Sequence, residues 1–221
     1  NFSLGGTPLD STIVCAKSLI PCAHVEAGLR SFDREMPEEI NRILTDSVAN
    51  LLLTPSADGD ENLRNEGVVE ERIFRVGNIM IDSLFENVKR SESSNIHDDL
   101  NLHNEYALFT LHRPSNVDDK KTFTTIIEAL EEIAEDLDIV FPIHPRTRKM
   151  AKSFDLFERL ENISGMHITE PIGYLDFVSL MSKSKLVLTD SGGLQEETTA
   201  LGIPCLTLRE NTERPITVTE G

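Results

Sequence analysis

The chain alternates between two patterns of apolar residues. Short, almost wholly apolar runs have the length and composition of buried strands: LLLT at 51–54, ALFT at 107–110, IVFP at 139–142 and LVLT at 186–189. Between these runs, apolar residues recur every three or four positions, which places them on one face of an amphipathic helix. Because strands that alternate with helices build parallel βαβ units, the pattern predicts an α/β fold.

The first half of the chain contains a clear amphipathic helix at PEEINRILTDSVAN, residues 37–50. Its apolar face is predicted to hold Ile40, Ile43, Leu44 and Val48. A proline in the first turn and two glutamates that complement the helix dipole mark its start. The apolar run that follows is predicted to be a strand.

A polar stretch separates the two halves of the chain. The segment SESSNIHDDLNLHNE, residues 91–105, is polar and uncapped, so we predict a linker or hinge at residues 86–103. The predicted first domain is then residues 1–85, and the second is residues 104–221. In the second domain about five strands alternate with helices, one of which is predicted to span TRKMAKSFDLFERL at 147–160.

Composition narrows the possible partners. The formal net charge of −17 disfavours nucleic acid and anionic membranes, since both require an electropositive face. The longest apolar runs fall far short of the roughly 20 residues of a membrane span. Cys15, Cys22 and Cys205 lie in apolar contexts without a Cys-x-x-Cys pairing, which predicts reduced thiols, no metal site and a cytoplasmic protein.

Polar residues follow three of the strands predicted for the second domain. His112 closes ALFTLH, His144 closes IVFPIH, and Asp190 with Ser191 closes KLVLTDS. In open parallel sheets, ligands collect at the carboxyl ends of the strands. The three positions therefore predict one shared binding cleft.

The turn Ser191-Gly192-Gly193 carries a strand into the helix LQEETTAL. Such a turn presents unpaired backbone N–H groups and the positive end of the helix dipole, with no side chain to block close approach, so it suits a phosphate. Glu197, one turn into the helix, is placed to accept hydrogen bonds from a ribose diol. Two alternatives stay open: the glycines serve only a tight turn, and Glu196 with Glu197 only complements the dipole.

A second candidate region is HVEAGLRSFDREMPEEINR, residues 24–42. Glu26 follows an apolar stretch, and Glu38 begins a helix with Arg42 one turn further along the same face. Carboxylates in a partly desolvated cleft are the groups that general acid–base catalysis uses. The alternative is that Glu38 and Arg42 form an ordinary helix ion pair, and that His24 and Glu26 are satisfied polar groups beside a core strand.

Four segments in this order resemble the non-hydrolysing UDP-N-acetylglucosamine 2-epimerases over nearly the whole chain: HVEAGLRSFDREMPEEINR, TLHRPSN, PIHPR and LTDSGGLQEE…ALGIPCLTLRENTERP. The resemblance implies two Rossmann-like domains facing each other across a cleft, an arrangement shared with the GT-B class of glycosyltransferases. It also implies a partial chain, in which the first domain lacks its opening strands and the second lacks its final helices.

The resemblance implies an activity, the interconversion of UDP-N-acetylglucosamine and UDP-N-acetylmannosamine without a redox cofactor. The proton at carbon 2 is removed and UDP expelled to give an unsaturated glycal, and UDP then adds back with protonation on the opposite face. By motif position, the catalytic residues are Asp10, Glu26, Glu38 and His112. The residues that contact the substrate are Arg42, Arg113, His144, Phe177, Ser191, Gly192, Gly193 and Glu197.

Some of these assignments have alternatives. Asp10, in the segment GGTPLDST, matches the family's catalytic aspartate over only a few residues, and the segment also suits a helix N-cap. Phe177 stands where the family contacts uracil, and its alternative is a core position of an amphipathic helix. Arg42, Arg113 and His144 are assigned to the negative charge that builds on the leaving diphosphate.

Two other functions stay open beside the epimerase. One is a nucleotide-sugar binding module without chemistry, and the other is a UDP-sugar glycosyltransferase of the same fold. The glutamates of the segment 24–42 favour the epimerase over the glycosyltransferase, which would not need them. The resemblance further implies a homodimer whose product feeds the synthesis of cell-surface polysaccharide precursors.

Overall fold

A computed structural model describes residues 9–209, 212 and 216–219 of the chain. These residues fall into two compact units. Unit 1 holds the described residues up to Asp82 together with 212 and 216–219, and unit 2 runs from Ser83 to Arg209. No helix within these residues is both long and apolar enough to cross a membrane.

Unit 1 is an α/β unit built on a small parallel sheet. Its strands are β1 (Ala23–Val25), β2 (Leu51–Thr54) and β3 (Ile73–Arg75). Its helices are α1 (Leu9–Lys17), α2 (Pro37–Val48) and α3 (Ala57–Asn65), with a 3₁₀ turn at Glu70–Arg72 and a helical turn at Ile216–Thr219. The helix α4 (Ile79–Ser91) follows β3 and contains the division between the units.

The sheet of unit 1 has the order β1-β2-β3, so β2 is its central strand. Leu51 of β2 lies opposite Ala23 of β1, and Leu52 lies opposite Ile73 of β3. A small apolar core packs around this sheet and consists of Ala27, Ala49, Leu52, Leu63 and Ile73. Burial of these apolar side chains stabilises the unit.

The helix α2 forms where the sequence predicts it, but its buried face is not the predicted one. Leu44 and Val48 are exposed, whereas the fully buried side chains of the helix are Glu39, Thr45 and Asp46. Loop N–H groups and a histidine bind the two acids. Ile40 and Ile43 of the predicted face are half-buried, and the prediction was wrong for Leu44 and Val48, because this hydrogen-bonded polar stripe turns inward instead.

Unit 2 is a larger parallel α/β unit. Its strands are β4 (Tyr106–Thr110), β5 (Asp138–Pro142), β6 (Met166–Thr169), β7 (Leu186–Thr189) and β8 (Cys205–Thr207). Its further helices are α5 (Ile96–Asp99), α6 (Pro114–Val117), α7 (Lys120–Ile133), α8 (Pro145–Ser153), α9 (Phe157–Glu161), α10 (Tyr174–Lys183) and α11 (Gly192–Leu201). The α/β class that the sequence predicts is confirmed.

The order of strands in unit 2 is β6-β5-β4-β7-β8, with every pair parallel. The chain moves outward from β4 to β6 and then returns to the other side of β4 at β7. The connections therefore reverse between β4 and β7, and a crevice at the carboxyl ends of two such strands is where open α/β sheets bind ligands.

The core of unit 2 holds this sheet rigid. Phe109 of β4 and Phe141 of β5 are fully buried, with ring centroids 4.4 Å apart. Phe123 and Ile127 of α7 pack in the same apolar cluster. Because core side chains interlock at high density, the ends of β4 and β7 are held in fixed positions.

Two predicted segments have a different structure. The predicted linker, residues 86–103, contains the end of α4 and the whole of α5, and the hinge itself stays a prediction. The single helix predicted at residues 147–160 is instead α8 and α9. Asp155 adopts a left-handed φ of 59°, and the Leu156 N–H donates to the Ala151 carbonyl oxygen at 2.8 Å. This Schellman arrangement ends α8, and it is open to aspartate because that residue tolerates positive φ.

Candidate functional site

Unit 2 gathers predicted site residues at the point where its strand order reverses. Thr110 of β4 pairs with Thr189 of β7, so the carboxyl ends of the two strands are level. His112 follows the first strand, and the turn at Ser191 follows the second. His144 follows β5, and its ring centroid lies 5.7 Å from that of His112.

Asp190 occupies the centre of this arrangement, immediately after β7, and is fully buried. Its Oδ2 accepts hydrogen bonds from the backbone N–H of His112 at 2.9 Å, from that of Arg113 at 2.7 Å and from Asn116 Nδ2 at 3.1 Å. Burial opposes ionisation of Asp190, but the hydrogen bonds from His112 and Arg113 outweigh it and lower the pKa of the carboxyl. Asp190 is therefore a buried anion that fixes the loop after β4.

The two histidines of the site use their Nδ1 atoms differently. His112 Nδ1 lies 2.9 Å from Asp190 Oδ1, an ion-pair distance, and because a carboxylate only accepts hydrogen bonds, the proton of the neutral ring is assigned to Nδ1. His144 Nδ1 accepts from the Arg146 N–H at 3.1 Å, as an N-cap of α8. In the neutral rings, Nε2 is thus a hydrogen-bond acceptor in His112 and a donor in His144.

The turn from β7 into α11 is open at Gly193, whereas Gly192 is buried. Among the described residues the Ser191 side chain makes no capping hydrogen bond, and its N–H donates to Thr189 Oγ1 at 3.0 Å. Gly193 is exposed, has no positive φ, and a Cβ there would meet as its nearest atom Ser191 Oγ, at 3.9 Å. The backbone conformation does not require glycine at 193, which favours close approach of a ligand over a purely steric role.

Glu197 of α11 is 7% exposed and carries a buried carboxyl group. Its Oε1 accepts from the Tyr174 hydroxyl at 2.9 Å. Burial raises the pKa of Glu197, and the hydrogen bond from Tyr174 offsets part of that effect. Burial, then the charge of Glu197, raises the pKa of Tyr174 to about 12. Glu197 is held in one orientation by a neutral donor.

Arg113 and Phe177 complete the predicted residues of unit 2. The Nε atom of Arg113 is buried and has no hydrogen-bond partner within the described part of the chain. A buried, unpaired guanidinium N–H is costly unless a ligand satisfies it. Phe177 is half-buried on α10, so it contributes to packing and also keeps an accessible face.

In unit 1, the loop after β1 carries Glu26 in a strained conformation. Its φ is 66°, which residues with a Cβ rarely adopt. Two residues later, Gly28 has a φ of 82°, and a Cβ there would lie 2.3 Å from the Gly59 carbonyl oxygen. The loop therefore presses against α3, and strain of this kind concentrates at functional positions.

A buried network supports that loop from beneath. Asp46 Oδ1 lies 2.5 Å from His24 Nδ1, and Asp46 Oδ2 accepts from the Gly28 N–H at 3.1 Å. Arg30 Nη1 lies 2.8 Å from the same oxygen, and its guanidinium also binds Glu66 through two hydrogen bonds of 2.7 Å. Burial opposes ionisation of Arg30, but Glu66 and Asp46 outweigh it and raise its pKa.

The next loop is bound by Glu39, the neighbour of the predicted catalytic Glu38. The two oxygens of Glu39 accept from the N–H groups of Ser31 and Phe32, each at 3.0 Å. Arg42 donates to Glu39 at 2.8 Å, so the alternative in which Arg42 forms an ordinary helix ion pair with Glu38 is wrong. Burial opposes ionisation of Glu39, but the Ser31 N–H and Arg42 outweigh it and lower its pKa.

Glu38 and Asp10 are both exposed on unit 1. Glu38 lies in the first turn of α2, where it is free of the buried network that Glu39 makes. Asp10 is the second residue of α1 and lies inside its first turn, so it complements the helix dipole and does not occupy the cap position. The catalytic roles of both acids stay predictions.

Comparison with known sequences now identifies the relatives of this chain. A sequence model described as UDP-N-acetylglucosamine 2-epimerase matches residues 7–221. This chain belongs to that family. The match includes every residue assigned above to either unit.

Individual members of the UDP-N-acetylglucosamine 2-epimerase family agree. The UDP-N-acetylglucosamine 2-epimerase of Methanocaldococcus jannaschii is 48% identical over 221 residues, which cover 97% of this chain and 60% of that protein. Its crystal structure in complex with UDP-GlcNAc and UDP superposes with a TM-score of 0.87, covering 96% of this chain and 60% of that one. The UDP-2,3-diacetamido-2,3-dideoxy-D-glucuronate 2-epimerase of Pseudomonas aeruginosa is 42% identical over 216 residues, 96% of this chain and 58% of that protein. The chain thus spans about 60% of the length of the Methanocaldococcus jannaschii protein and 58% of the Pseudomonas aeruginosa protein.

Three residues that organise this family member were not among the predicted residues, namely Asp46, Glu39 and Tyr174, and a fourth, Asp190, was predicted only as a polar residue at a strand end. Glu39 and Asp46 are seven positions apart on α2, so a search for buried polar stripes at helical spacing would have found them. Asp190 directly precedes the glycine turn, which is a local signal. Tyr174 meets Glu197 from 23 residues away, and no local pattern predicts that contact.

Proposed function

We propose that the protein epimerises a UDP-N-acetylhexosamine at carbon 2, with UDP-N-acetylglucosamine as substrate and UDP-N-acetylmannosamine as product. The observation that carries the proposal is the open start of α11 at the reversal of strand order, with His112 fixed beside it. Family membership supplies the reaction class, and the geometry of unit 2 supplies a site of the right chemistry.

Unit 2 is assigned to UDP. The first N–H groups of α11, at Gly192 and Gly193, suit the diphosphate because the helix dipole and the open turn both favour an anion. The unpaired Arg113 Nε offers a further donor for that charge. Glu197 is assigned to the ribose hydroxyls and Phe177 to the uracil ring. These assignments place four kinds of contact on one nucleotide.

The proposed reaction moves one proton and one diphosphate leaving group. A base takes the proton from carbon 2, the electron pair of that C–H bond forms a double bond to carbon 1, and the bond from carbon 1 to the UDP oxygen breaks. Re-addition of UDP with protonation on the other face gives the epimer. Asp10, Glu26 and Glu38 of unit 1 and His112 of unit 2 are the proposed acid–base groups.

His144 and Arg42 are assigned to the charge of the departing UDP. The neutral His144 ring offers an Nε2 donor, which suits a phosphate oxygen. Arg42 is held on Glu39 and keeps 20% of its side chain exposed, so its charge is positioned and accessible. Donors aimed at developing negative charge lower the barrier to expulsion.

A second substrate is supported by the Pseudomonas aeruginosa relative, whose name gives a UDP-diacetamido-glucuronate. Its sugar differs in its substituents at other carbons, whereas the epimerised carbon is the same. Both substrates should therefore be tested. The protein is further proposed to act as a homodimer in the cytoplasm, which its three free cysteines suit.

The deciding experiment is incubation with UDP-N-acetylglucosamine in deuterated water, followed by proton NMR of the sugar. We expect deuterium at carbon 2 of the recovered substrate and of the epimer. Glu26→Gln should retain UDP affinity within about two-fold and lose the exchange, since a single acid–base group contributes roughly 10²–10⁴-fold. UDP binding without any exchange in the unaltered protein would favour the nucleotide-sugar binding module instead.

The placement of the diphosphate has its own test. Gly193→Val should weaken UDP binding by about 10-fold or more, equivalent to about 1.4 kcal/mol, because its branched side chain crowds the start of α11. Gly193→Ala is the matched control, since its Cβ would meet Ser191 Oγ at an ordinary van der Waals distance of 3.9 Å and should leave the fold intact. Calorimetric titration with UDP measures both. Normal UDP binding by Gly193→Val would place the phosphates elsewhere.

A further inference from the structure

We propose that Asp190 is the positioning residue that fixes His112 in the tautomer with its proton on Nδ1 and presents Nε2 as the reactive nitrogen. The proposal rests on the proposed function for its chemical meaning. His112 follows β4 and Asp190 follows β7, and both residues lie inside unit 2. Asp190 touches no reacting atom, and it acts through His112.

The hydrogen bonds of Asp190 determine which ring nitrogen of His112 carries the proton. Oδ2 is already occupied by the N–H groups of His112 and Arg113 and by Asn116 Nδ2, and Oδ1 receives the imidazole at 2.9 Å. Because an ionised carboxylate only accepts hydrogen bonds, a ring nitrogen that faces it has to be a donor. His112 Nδ1 must then carry the proton that points at Asp190.

The exposure of the pair separates a functional arrangement from a merely structural one. The carboxylate is 0% exposed, whereas the His112 side chain is 37% exposed. The buried end of the interaction is therefore rigid and the other end of the ring is open. In the neutral ring Nε2 keeps its lone pair and accepts a proton, and the ring that has taken up this proton can return it.

Asp190 also holds the loop after β4 in place, so the substitution that tests it should change its volume as little as possible. Asn116 donates to Asp190 at 3.1 Å and also to the Leu208 carbonyl oxygen at 2.9 Å, so it ties the loop after β4 to the segment after β8. Asp190→Asn keeps the shape but replaces one acceptor oxygen by a donor. It therefore breaks the tautomer preference with the smallest change in volume.

Unit 2 offers a matched control for that substitution. Asp138, at the opposite end of β5, lies 3.9 Å from His167 Nε2, beyond hydrogen-bond distance. Asp138→Asn makes the same chemical change beside a histidine at the amino end of the same sheet. We expect it to leave the tautomer of His112 and the exchange of deuterium unchanged.

The first measurement is the tautomer itself, by proton–nitrogen NMR of the histidine side chains at about pH 8, above the ordinary histidine pKa of about 6.5. His112→Gln assigns the signal by its loss. The expected result is a protonated Nδ1 for His112 and a protonated Nε2 for His144, which serves as the internal reference. A protonated Nε2 on His112, or an Asp190→Asn spectrum with an unchanged His112 tautomer, overturns the proposal.

The second measurement is deuterium exchange by Asp190→Asn and by Asn116→Ala. We expect Asp190→Asn to slow exchange by about 10- to 100-fold, a part of the effect of removing a general acid–base group, with UDP affinity within about two-fold. Asn116→Ala removes one donor and should have a smaller effect in the same direction, and it decides the matter if Asp190→Asn does not fold. Unchanged exchange in a folded variant overturns the proposal.

Failure of the proposed function has a different signature. If the unaltered protein binds UDP but exchanges no deuterium, epimerisation is contradicted, and the tautomer measurement alone then judges the role of Asp190. If exchange is normal and the tautomer is wrong, the epimerase stands and Asp190 is structural.

Discussion

Each unit of the molecule holds a histidine on a buried aspartate, and the two pairs serve different ends. In unit 1, His24 binds Asp46 at 2.5 Å and only 9% of the histidine side chain is exposed. In unit 2, His112 binds Asp190 at 2.9 Å with 37% of the histidine side chain exposed. The histidine of the pair is therefore buried in unit 1 and accessible to solvent in unit 2.

What surrounds each aspartate explains the difference. Asp46 also binds Arg30, which in turn holds Glu66, so the charges of unit 1 are satisfied within the protein. Asp190 binds backbone N–H groups and one side-chain amide, all of them in the loop after β4. None of these contacts covers the exposed Nε2 side of the His112 ring. We infer that the pair in unit 1 supports the loop of Glu26, and that the pair in unit 2 acts on a ligand.

The largest expected effect on stability comes from Asp46→Ala. It removes the acceptor of a buried guanidinium and of a buried histidine, and breaking one side of a buried ion pair costs about 3–5 kcal/mol. Urea denaturation followed by circular dichroism should show that loss of unfolding free energy. Glu71→Ala, an exposed acid of the same unit, should stay within about 0.5 kcal/mol. A loss below about 1 kcal/mol for Asp46→Ala would mean that the network of unit 1 is not what holds the loop.

The next effect compares two glycines with positive φ, one in each unit. Gly28→Ala places a Cβ 2.3 Å from the Gly59 carbonyl oxygen at a φ of 82°, so we expect a loss of about 2–4 kcal/mol. Gly202→Ala, at a φ of 66°, adds a Cβ in open space and should cost only the backbone term of about 1 kcal/mol. Thermal unfolding of both variants measures the difference. Equal losses would show that the contact between the loop of unit 1 and α3 carries no energy.

The charges of the two buried glutamates, Glu39 and Glu197, are expected to affect stability in opposite directions. The charge of Glu39 stabilises the fold. Its pKa is lowered by folding, so its contribution is present above the unfolded pKa of about 4.3 and is lost as pH falls through the lower folded value. Glu39→Gln should cost about 1–3 kcal/mol at pH 7, because two loop N–H groups and Arg42 lose a charged acceptor.

The control for Glu39 is its neighbour. Glu38→Gln removes an exposed acid from the same helix turn and should leave stability within about 0.5 kcal/mol. The difference between Glu39→Gln and the unaltered protein should shrink below pH 4. A difference that persisted there would trace the effect to packing and not to the charge of Glu39.

The sequence predicted the strand ends of unit 2 far better than the interior of unit 1. His112, His144 and the glycine turn are predicted from strand runs and the rule that ligands gather at carboxyl ends, and both signals are local. The buried face of α2 was missed because hydrophobic periodicity assumes that apolar side chains turn inward. Glu39 and Asp46 violate that assumption, since their partners come from loops that are distant in sequence.

A similar limit applies to the helices of unit 2. The break at Asp155 depends on a left-handed residue that is not glycine, so no glycine or proline signals it. The strand order, which creates the site, depends on which strands pair, and the sequence carries that information only in long-range packing. Motifs therefore located the candidate residues at the strand ends, and tertiary contacts decided which charged residues bind them.

The smallest expected effect on stability belongs to Glu197→Gln, and its sign is the reverse of that of Glu39. The raised pKa of Glu197 means that protonation favours the folded state below the unfolded pKa of about 4.3, a gain that is lost as pH rises through the folded value. Removing the charge should therefore leave stability at pH 7 unchanged or raise it by up to about 1 kcal/mol. UDP affinity should nevertheless fall by about 10-fold, or about 1.4 kcal/mol, since a charged acceptor for the ribose is lost. Thermal unfolding measures the effect on stability and UDP titration measures the effect on affinity, with Glu196→Gln as the adjacent control. Loss of stability together with unchanged UDP binding would assign Glu197 to the fold, and the contrast between the two buried glutamates would disappear.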